Sequence, residues 1–237
     1  MKRILLKLSG EMLLGNNPMG IDPLALKNTA ANLIKVKNEG YELAIVIGGG
    51  NIFRGLHLAD NGLNRTQADH MGMLATLING VALKAELEKQ GVKTTLFSAL
   101  ECPRVAESYQ YDKVIDSLEK GDLIVFVGGT GNPLFTTDTA AALRASEIGA
   151  DLLVKATKVD GVYDRDPKKG GAKMFETLSY ADYLSKKLAV MDLTAITLCM
   201  NNKVPVFVMN MKELGTHELK NLITHKKGTI INHGNDS

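Results

Sequence analysis

A chain of 237 residues with 45% hydrophobic content can bury a sizeable core, as one large α/β unit or two small ones. A formal net charge of +2 with 23% charged residues implies no nucleic-acid or membrane-surface partner, and no apolar run is long enough to span a bilayer. The two cysteines, Cys102 and Cys199, lie far apart without metal-ligand spacing, the pattern of reduced thiols in a cytoplasmic protein rather than of a disulfide framework or a metal centre.

The N-terminal stretch MKRILLKLSGEMLL starts like a secretory leader, but Lys7 and Glu11 interrupt its apolar run and no small-residue cleavage site follows. It reads as a first β-strand over 3–8 in a cytoplasmic protein. A helix over 23–38 follows, with Asp22 as N-cap and Pro23 at its first position. Strands are predicted at 42–47, 93–98, 122–127, 151–156 and 204–209. Between them, 67–90 carries Met71, Leu74, Ile78, Val81 and Ala85 on one helical stripe and stops at Gly91. Two more helices are predicted at 138–148, closed by Gly149, and at 188–201. Near-continuous apolar strands alternating with helices predict an α/β fold with a mainly parallel central sheet covered on both faces. No linker-like stretch, internal repeat or low-complexity tract divides the chain, so 1–237 is expected to form one domain with an N-terminal and a C-terminal lobe.

Four of these strands end in KLSG, GGGNIFRG, GGTGNPLFTTD and KATKVDGVYDRDP. In an open parallel sheet ligands bind beyond the carboxyl ends of the strands, so all four loops should converge on one edge. A Walker-type phosphate loop is excluded because Gly-Lys occurs nowhere in the chain. The dinucleotide fingerprint fails as well: its third glycine would fall on Phe53 when counted from Gly48, or on Leu134 when counted from Gly129. What remains is a supply of backbone N–H groups, the cations Lys7 and Arg54, and carboxylates at Asp69, Asp138 and Asp166. That inventory suits phosphoryl transfer, which needs positioning and charge neutralisation more than covalent chemistry.

Each of these residues also has a plain structural reading. Lys7 could be a solvated lysine of an edge strand, although an unpaired ammonium inside an otherwise apolar strand is costly to bury. Arg54 fits a surface arginine after a turn equally well. Asp138 fits a helix N-cap, a role compatible with anion binding at the same helix end. Asp69 reads as an N-terminal helix carboxylate, and Met71 and Met73 as core packing. Asp160, Asp164 and Asp166 sit in Asp-Gly and Asp-Pro turn signals.

Taken together, KRILLKLSGE, VIGGGNIFRG, DHMGMLAT, GTGNPLFTTDTAA, KATKVDGVYDRDP and VMDLTA closely resemble the bacterial UMP kinases of the amino-acid kinase superfamily, over Lys2 to about Ile231. The fifth motif is shared with aspartate and glutamate kinases, whereas GGGNIFRG, DHMGMLAT and GTGNPLFTTD are narrower and point to the UMP branch. The resemblance implies reversible transfer of the γ-phosphoryl group of ATP, with Mg2+, to UMP, giving UDP and ADP in pyrimidine nucleotide biosynthesis.

It implies catalytic roles for Lys7, Arg54 and Asp138. ATP would be bound by Lys7, Leu8, Ser9, Gly10, Gly50, Arg54, Thr157, Tyr163 and Asp166. UMP would be bound by Gly49, Asp69, Thr130, Gly131, Asn132, Pro133, Leu134, Phe135, Thr136 and Thr137. The segment Gly15, Asn16, Asn17, Pro18, Met19 and Gly20 would serve allosteric activation by GTP. The resemblance also implies a homohexamer inhibited by UTP, and no metal bound by protein ligands alone. The rival readings are a carboxylate kinase of the same superfamily, acting on aspartate, glutamate or acetylglutamate, and a non-catalytic nucleotide-binding protein on the same fold.

Overall fold

In the computed structural model, which describes residues 2–53, 62 and 64–234, nine strands form one sheet. They are β1 (Arg3–Leu8), β2 (Glu42–Ile47), β3 (Thr94–Ser98), β4 (Glu107–Ser108), β5 (Leu123–Val127), β6 (Leu152–Thr157), β7 (Thr177–Ser179), β8 (Val206–Asn210) and β9 (Thr229–Asn232). Their order is β4-β3-β5-β2-β1-β6-β8-β9-β7, and every neighbouring pair is parallel except β8–β9. The helices are α1 (Pro23–Asn38), α2 (Arg65–Lys89), α3 (Tyr111–Glu119), α4 (Thr137–Glu147), α5 (Tyr180–Ser185), α6 (Leu193–Asn201) and α7 (Leu219–Thr224). The six predicted strands are β1, β2, β3, β5, β6 and β8. The short strands β4, β7 and β9, together with α3, α5 and α7, were not foreseen.

The period-two alternation of the central strands sorts the core into two layers. Ile4, Leu6 and Leu8 join Leu43, Ile45 and Ile47 on the face covered by α1 and α2, with Leu33 and Leu83 among their neighbours. Leu5, Ala44, Val46 and Leu153 face the other way, against Ala141 and Ala145 of α4 and Ile196 of α6. Lys7 and Lys155 share the parity of this second layer, and the β1–β6 register sets them side by side. The carboxyl ends of β1, β2, β5 and β6 lie at one edge, as expected, and carry the four loops singled out from the sequence.

Helix starts follow capping chemistry. Asp22 accepts from the Ala25 N–H at 2.7 Å with Pro23 at the first turn, and Asn64 caps α2 through the Thr66 N–H at 2.9 Å. Helix α6 begins at Leu193 rather than 188, because Asp192 accepts from the Ala195 N–H at 2.7 Å; α5 ends before it at Ser185.

The apolar stripe predicted on α2 is not the face that packs on the sheet. Met71, Leu74, Ile78 and Val81 are 42%, 50%, 52% and 42% exposed. The buried face is Ala68, Met73, Ala75, Thr76, Leu77, Asn79, Gly80, Leu83 and Leu87, so Met73 is core as read and Met71 is not. Small residues line this face because the sheet approaches closely: a Cβ on Gly80 would stand 2.3 Å from Cγ1 of Val127.

Candidate active site

The two lysines brought together by the β1–β6 register meet one carboxylate. Asp138 is buried in the first turn of α4, with its Oδ1 2.8 Å from Lys7 Nζ and its Oδ2 hydrogen-bonded by the Lys155 ammonium. Burial opposes ionisation of Asp138, but the two ammonium groups outweigh it and hold the carboxyl below the usual carboxylate range. Burial likewise pulls Lys155 below the usual lysine value, and the Asp138 charge opposes that pull. Asp138 is not the N-cap of its helix. Thr136 is, accepting from the N–H groups of Asp138 and Thr139 at 3.0 and 3.4 Å, which leaves the Asp138 carboxylate free for the lysines.

Behind this cluster, Asp192 accepts from the Thr136 hydroxyl and from Thr139 Oγ1 at 3.0 and 3.1 Å. One carboxylate thus caps α6 and fixes the start of α4.

Beside the cluster lies a cavity of about 470 Å3, lined by Gly49, Gly50, Phe53, Arg65, Asp69, Met73, Asn132, Phe135, Thr136 and Thr137 among others. Seven of the residues assigned to nucleotide from the sequence therefore share one wall-to-wall space. Asp69 takes the Leu134 N–H at 2.8 Å and Arg65 Nε at 2.9 Å, so it tethers the 130–137 loop to α2 as well as facing the cavity. Leu134 sits at φ +74°, a left-handed conformation that this tether helps to hold.

Gly49 is required by packing too, since a Cβ there would be 2.8 Å from the Ala75 Cβ and 2.9 Å from the Gly72 oxygen. Gly49, the middle glycine, thus lets the turn lie against α2, a reason the sequence reading did not include.

The remaining assigned residues are spread around this centre. Leu8 is wholly buried in the first core layer, while Ser9 accepts from the Glu11 N–H at 3.3 Å in the turn that follows β1. Gly10 packs under Gly48, its Cβ position 2.5 Å from the Gly48 oxygen. Thr130 lies with Asn132 and Phe135 on an adjoining groove between α4 and α6, whereas Gly131, Pro133 and Leu134 line neither space.

Tyr163 and Asp166 line a separate cavity of about 360 Å3 closed by Lys186–Val190, and Thr157 ends β6 nearby in the chain. Asp166 also caps the short turn Pro167–Lys169, as its turn signal suggested. Of the 15–20 segment, Gly20 hydrogen-bonds the Asn51 backbone at 2.7 Å. Arg54 lies outside the described residues.

Residues 2–210 match the sequence profile of the amino acid kinase family. The chain belongs to that family. It is 55% identical to a uridylate kinase of Protochlamydia amoebophila (strain UWE25) over 98% of this chain and 94% of that one. It is also 55% identical to a uridylate kinase of Magnetococcus marinus over 90% of this chain and 89% of the relative. Its fold matches the crystal structure of UMP kinase from Bacillus anthracis with a TM-score of 0.93, at 34% identity, over 98% of this chain and 96% of the other. The α/β fold with a mainly parallel sheet expected from the sequence is thus the fold of this family.

Within that family frame, the residue that sequence reasoning missed is Lys155. Its signal was present, because DLLVKAT places a lysine in an apolar strand just as ILLKLSG does for Lys7. Asp192 was likewise passed over inside VMDLTA. Among the described residues, no cluster of three His, Cys, Asp or Glu side chains could hold a metal ion.

Proposed function

We propose that this protein transfers the γ-phosphoryl group of ATP directly to the phosphate of UMP, giving UDP and ADP. The observation that carries the reading is the Lys7–Asp138–Lys155 cluster at the start of α4, the same turn whose Thr136 and Thr137 line the 470 Å3 cavity. UMP occupies that cavity, with the 130–137 loop reading uracil and Asp69 holding both loop and nucleotide. ATP lies on the C-terminal side, its phosphates along Lys7–Gly10 and Gly50 and its adenosine near Thr157, Tyr163 and Asp166. The resemblance assigns Arg54, outside the described residues, to ATP as a further cation.

The acceptor is itself an anion, so no strong base is needed; two phosphate chains must instead be held together against their repulsion. Lys155 gives the arrangement its sense. A lone Asp138 would neutralise Lys7, whereas an Asp138 shared with Lys155 leaves the cluster net positive toward the transferred group. Magnesium carried on the phosphates of ATP would add neutralising charge between the two phosphate chains.

Further parts of the reading are a single domain of two lobes, a cytoplasmic location, a homohexamer, feedback by UTP, and activation by GTP through the 15–20 segment. The exposed stripe Met71, Leu74, Ile78 and Val81 supports a homo-oligomer, as an apolar patch of this kind calls for a cover. Among the described residues, no helix is long and apolar enough to cross a membrane. The test is an ADP-release assay with UMP, CMP, aspartate and acetylglutamate offered in parallel. Release should depend on UMP; equal or faster turnover of a carboxylate would replace the reading with the carboxylate-kinase alternative.

A further inference from the structure

On the opposite face of the sheet from the charged cluster, two asparagines are sealed in the core. Asn51 follows the triple glycine and is 2% exposed; Asn79 lies in α2 and is 0% exposed. Their amides pair reciprocally, Asn79 Nδ2 donating to Asn51 Oδ1 at 2.7 Å and Asn51 Nδ2 donating to Asn79 Oδ1 at 3.0 Å. The second proton of Asn79 Nδ2 goes to the Gly48 oxygen at 2.7 Å, and that of Asn51 Nδ2 to the Gly20 oxygen at 2.9 Å. All four amide protons are therefore used, and the two backbone oxygens fix which way each amide points. A buried polar pair is costly unless every group is satisfied, and a satisfied one is rigid.

This pair is where three separate pieces of the cleft meet. The Gly48 oxygen belongs to the turn that continues into Gly49 and Gly50 on the cavity wall. Gly10 of the loop after β1 rests on the pair so closely that a Cβ there would stand 2.3 Å from Asn51 Oδ1 and 2.9 Å from Asn79 Nδ2. Helix α2 carries Asn79 and, three turns earlier, Asp69 on the cavity wall; in between, Thr76 Oγ1 accepts the Gly128 N–H at 2.8 Å.

We infer that Asn79 is a positioning residue for the transfer. Through Asn51 and the Gly48 oxygen it sets the spacing between the donor-side loop at Gly10 and the acceptor-side turn at Gly49, without touching either nucleotide. The inference rests on the phosphoryl-transfer reading above, and it concerns the separation of the two substrates rather than the affinity for either. Purely structural support would leave turnover intact in any variant that folds, and support of the acceptor cavity alone would raise the KM for UMP.

The experiment compares the parent with Asn79→Leu, an apolar near-isostere, and Asn79→Ser, a smaller polar side chain, in the full-length protein. Both are assayed for UMP-dependent ADP release at saturating ATP and UMP, with folding followed by circular dichroism and thermal melting. Misplacement of reacting groups by a fraction of an ångström should lower kcat about tenfold or more, with the KM for UMP and for ATP each within about threefold of the parent. A folded variant with kcat within about twofold of the parent, or with the loss confined to KM, overturns the inference alone. Failure of both variants to fold overturns it too, since the pair would then be a folding element. A parent that releases no ADP with UMP overturns the transfer reading, and this inference with it.

Discussion

The two faces of the sheet treat the same edge differently. On the α4 face, Lys7, Lys155 and Asp138 put three charges into a space where water is nearly excluded. On the α2 face, Asn51 and Asn79 put two neutral amides at the equivalent depth. Charge is worth most where it can act on a ligand's developing charge, and is costly anywhere it cannot. Neutral amides hold loops with directional bonds and add no field that would repel or trap a phosphate. The division separates neutralising the transferred group from spacing the two nucleotides.

The largest effect should come from the charged face. Lys7→Ala should lower kcat about a hundredfold or more in a folded protein, the usual worth of one preorganised donor at a developing charge. A loss below about fivefold would remove Lys7 from the chemistry. Lys155→Met comes next: it keeps the stem, removes the charge, and leaves Asp138 to neutralise Lys7. The expectation is a kcat about tenfold lower or worse, with the KM for UMP little changed.

Its pH dependence carries a sign. In the parent the Asp138 carboxyl titrates below its unfolded value, so its contribution to stability is complete above pH about 4 and fades only as the pH falls through the lowered folded value. With Lys155 gone, burial is opposed by one cation instead of two and the folded value rises. Acid unfolding followed by circular dichroism should then begin at a higher pH in Lys155→Met than in the parent; an unchanged or lower acid midpoint would show that Lys155 does not hold Asp138 ionised.

The charged face was half legible in the sequence. A lysine in an apolar strand marked Lys7; Lys155 carries the same mark but was not singled out, whereas the aspartates that follow it were, and Asp164 and Asp166 fall on turns and a separate cavity. The neutral face was not legible. Asparagine inside a helical pattern reads as a surface position, and only the tertiary approach of the glycine turn makes Asn79 internal.

The same approach misled the reading of α2. Large apolar residues define a period on paper, yet the buried face here mixes Met73, Leu77, Leu83 and Leu87 with Ala75, which the turn at Gly49 closely approaches, and Gly80, which lies against Val127 and Leu96 of the sheet. Strands β4, β7 and β9, with two to four residues each, are too short to show an alternation. Fold class, the mainly parallel sheet and the convergence of four loops needed only apolar strands and glycine punctuation, which are local signals.

Between the two faces stands the tether at Asp69. Asp69→Asn keeps an acceptor for the Leu134 N–H but loses the charge that pairs with Arg65. The KM for UMP should rise about fivefold to tenfold, and the KM for ATP should stay within about twofold, as for the loss of one charge-assisted contact. An effect confined to ATP would move Asp69 to the other nucleotide and break the assignment of α2 to the acceptor side.

The smallest effect is expected one step behind the charges. Thr139 Oγ1 donates to Asp192, which also holds Thr136 and caps α6. Thr139→Val removes that hydroxyl with almost no change of shape, while Asp192 retains its other two donors. Stability should fall by about 1 kcal/mol, the net worth of one hydrogen bond to a group that stays otherwise satisfied. Turnover should change by less than about threefold, because Thr136 and the Asp138 carboxylate keep their own partners. Denaturant unfolding and kcat measured on the same sample separate the two quantities. A tenfold loss of kcat with only that small loss of stability would mean that the α4–α6 contact sets the position of Asp138 itself, and the charged face would then depend on its backing as closely as the neutral face depends on Asn79.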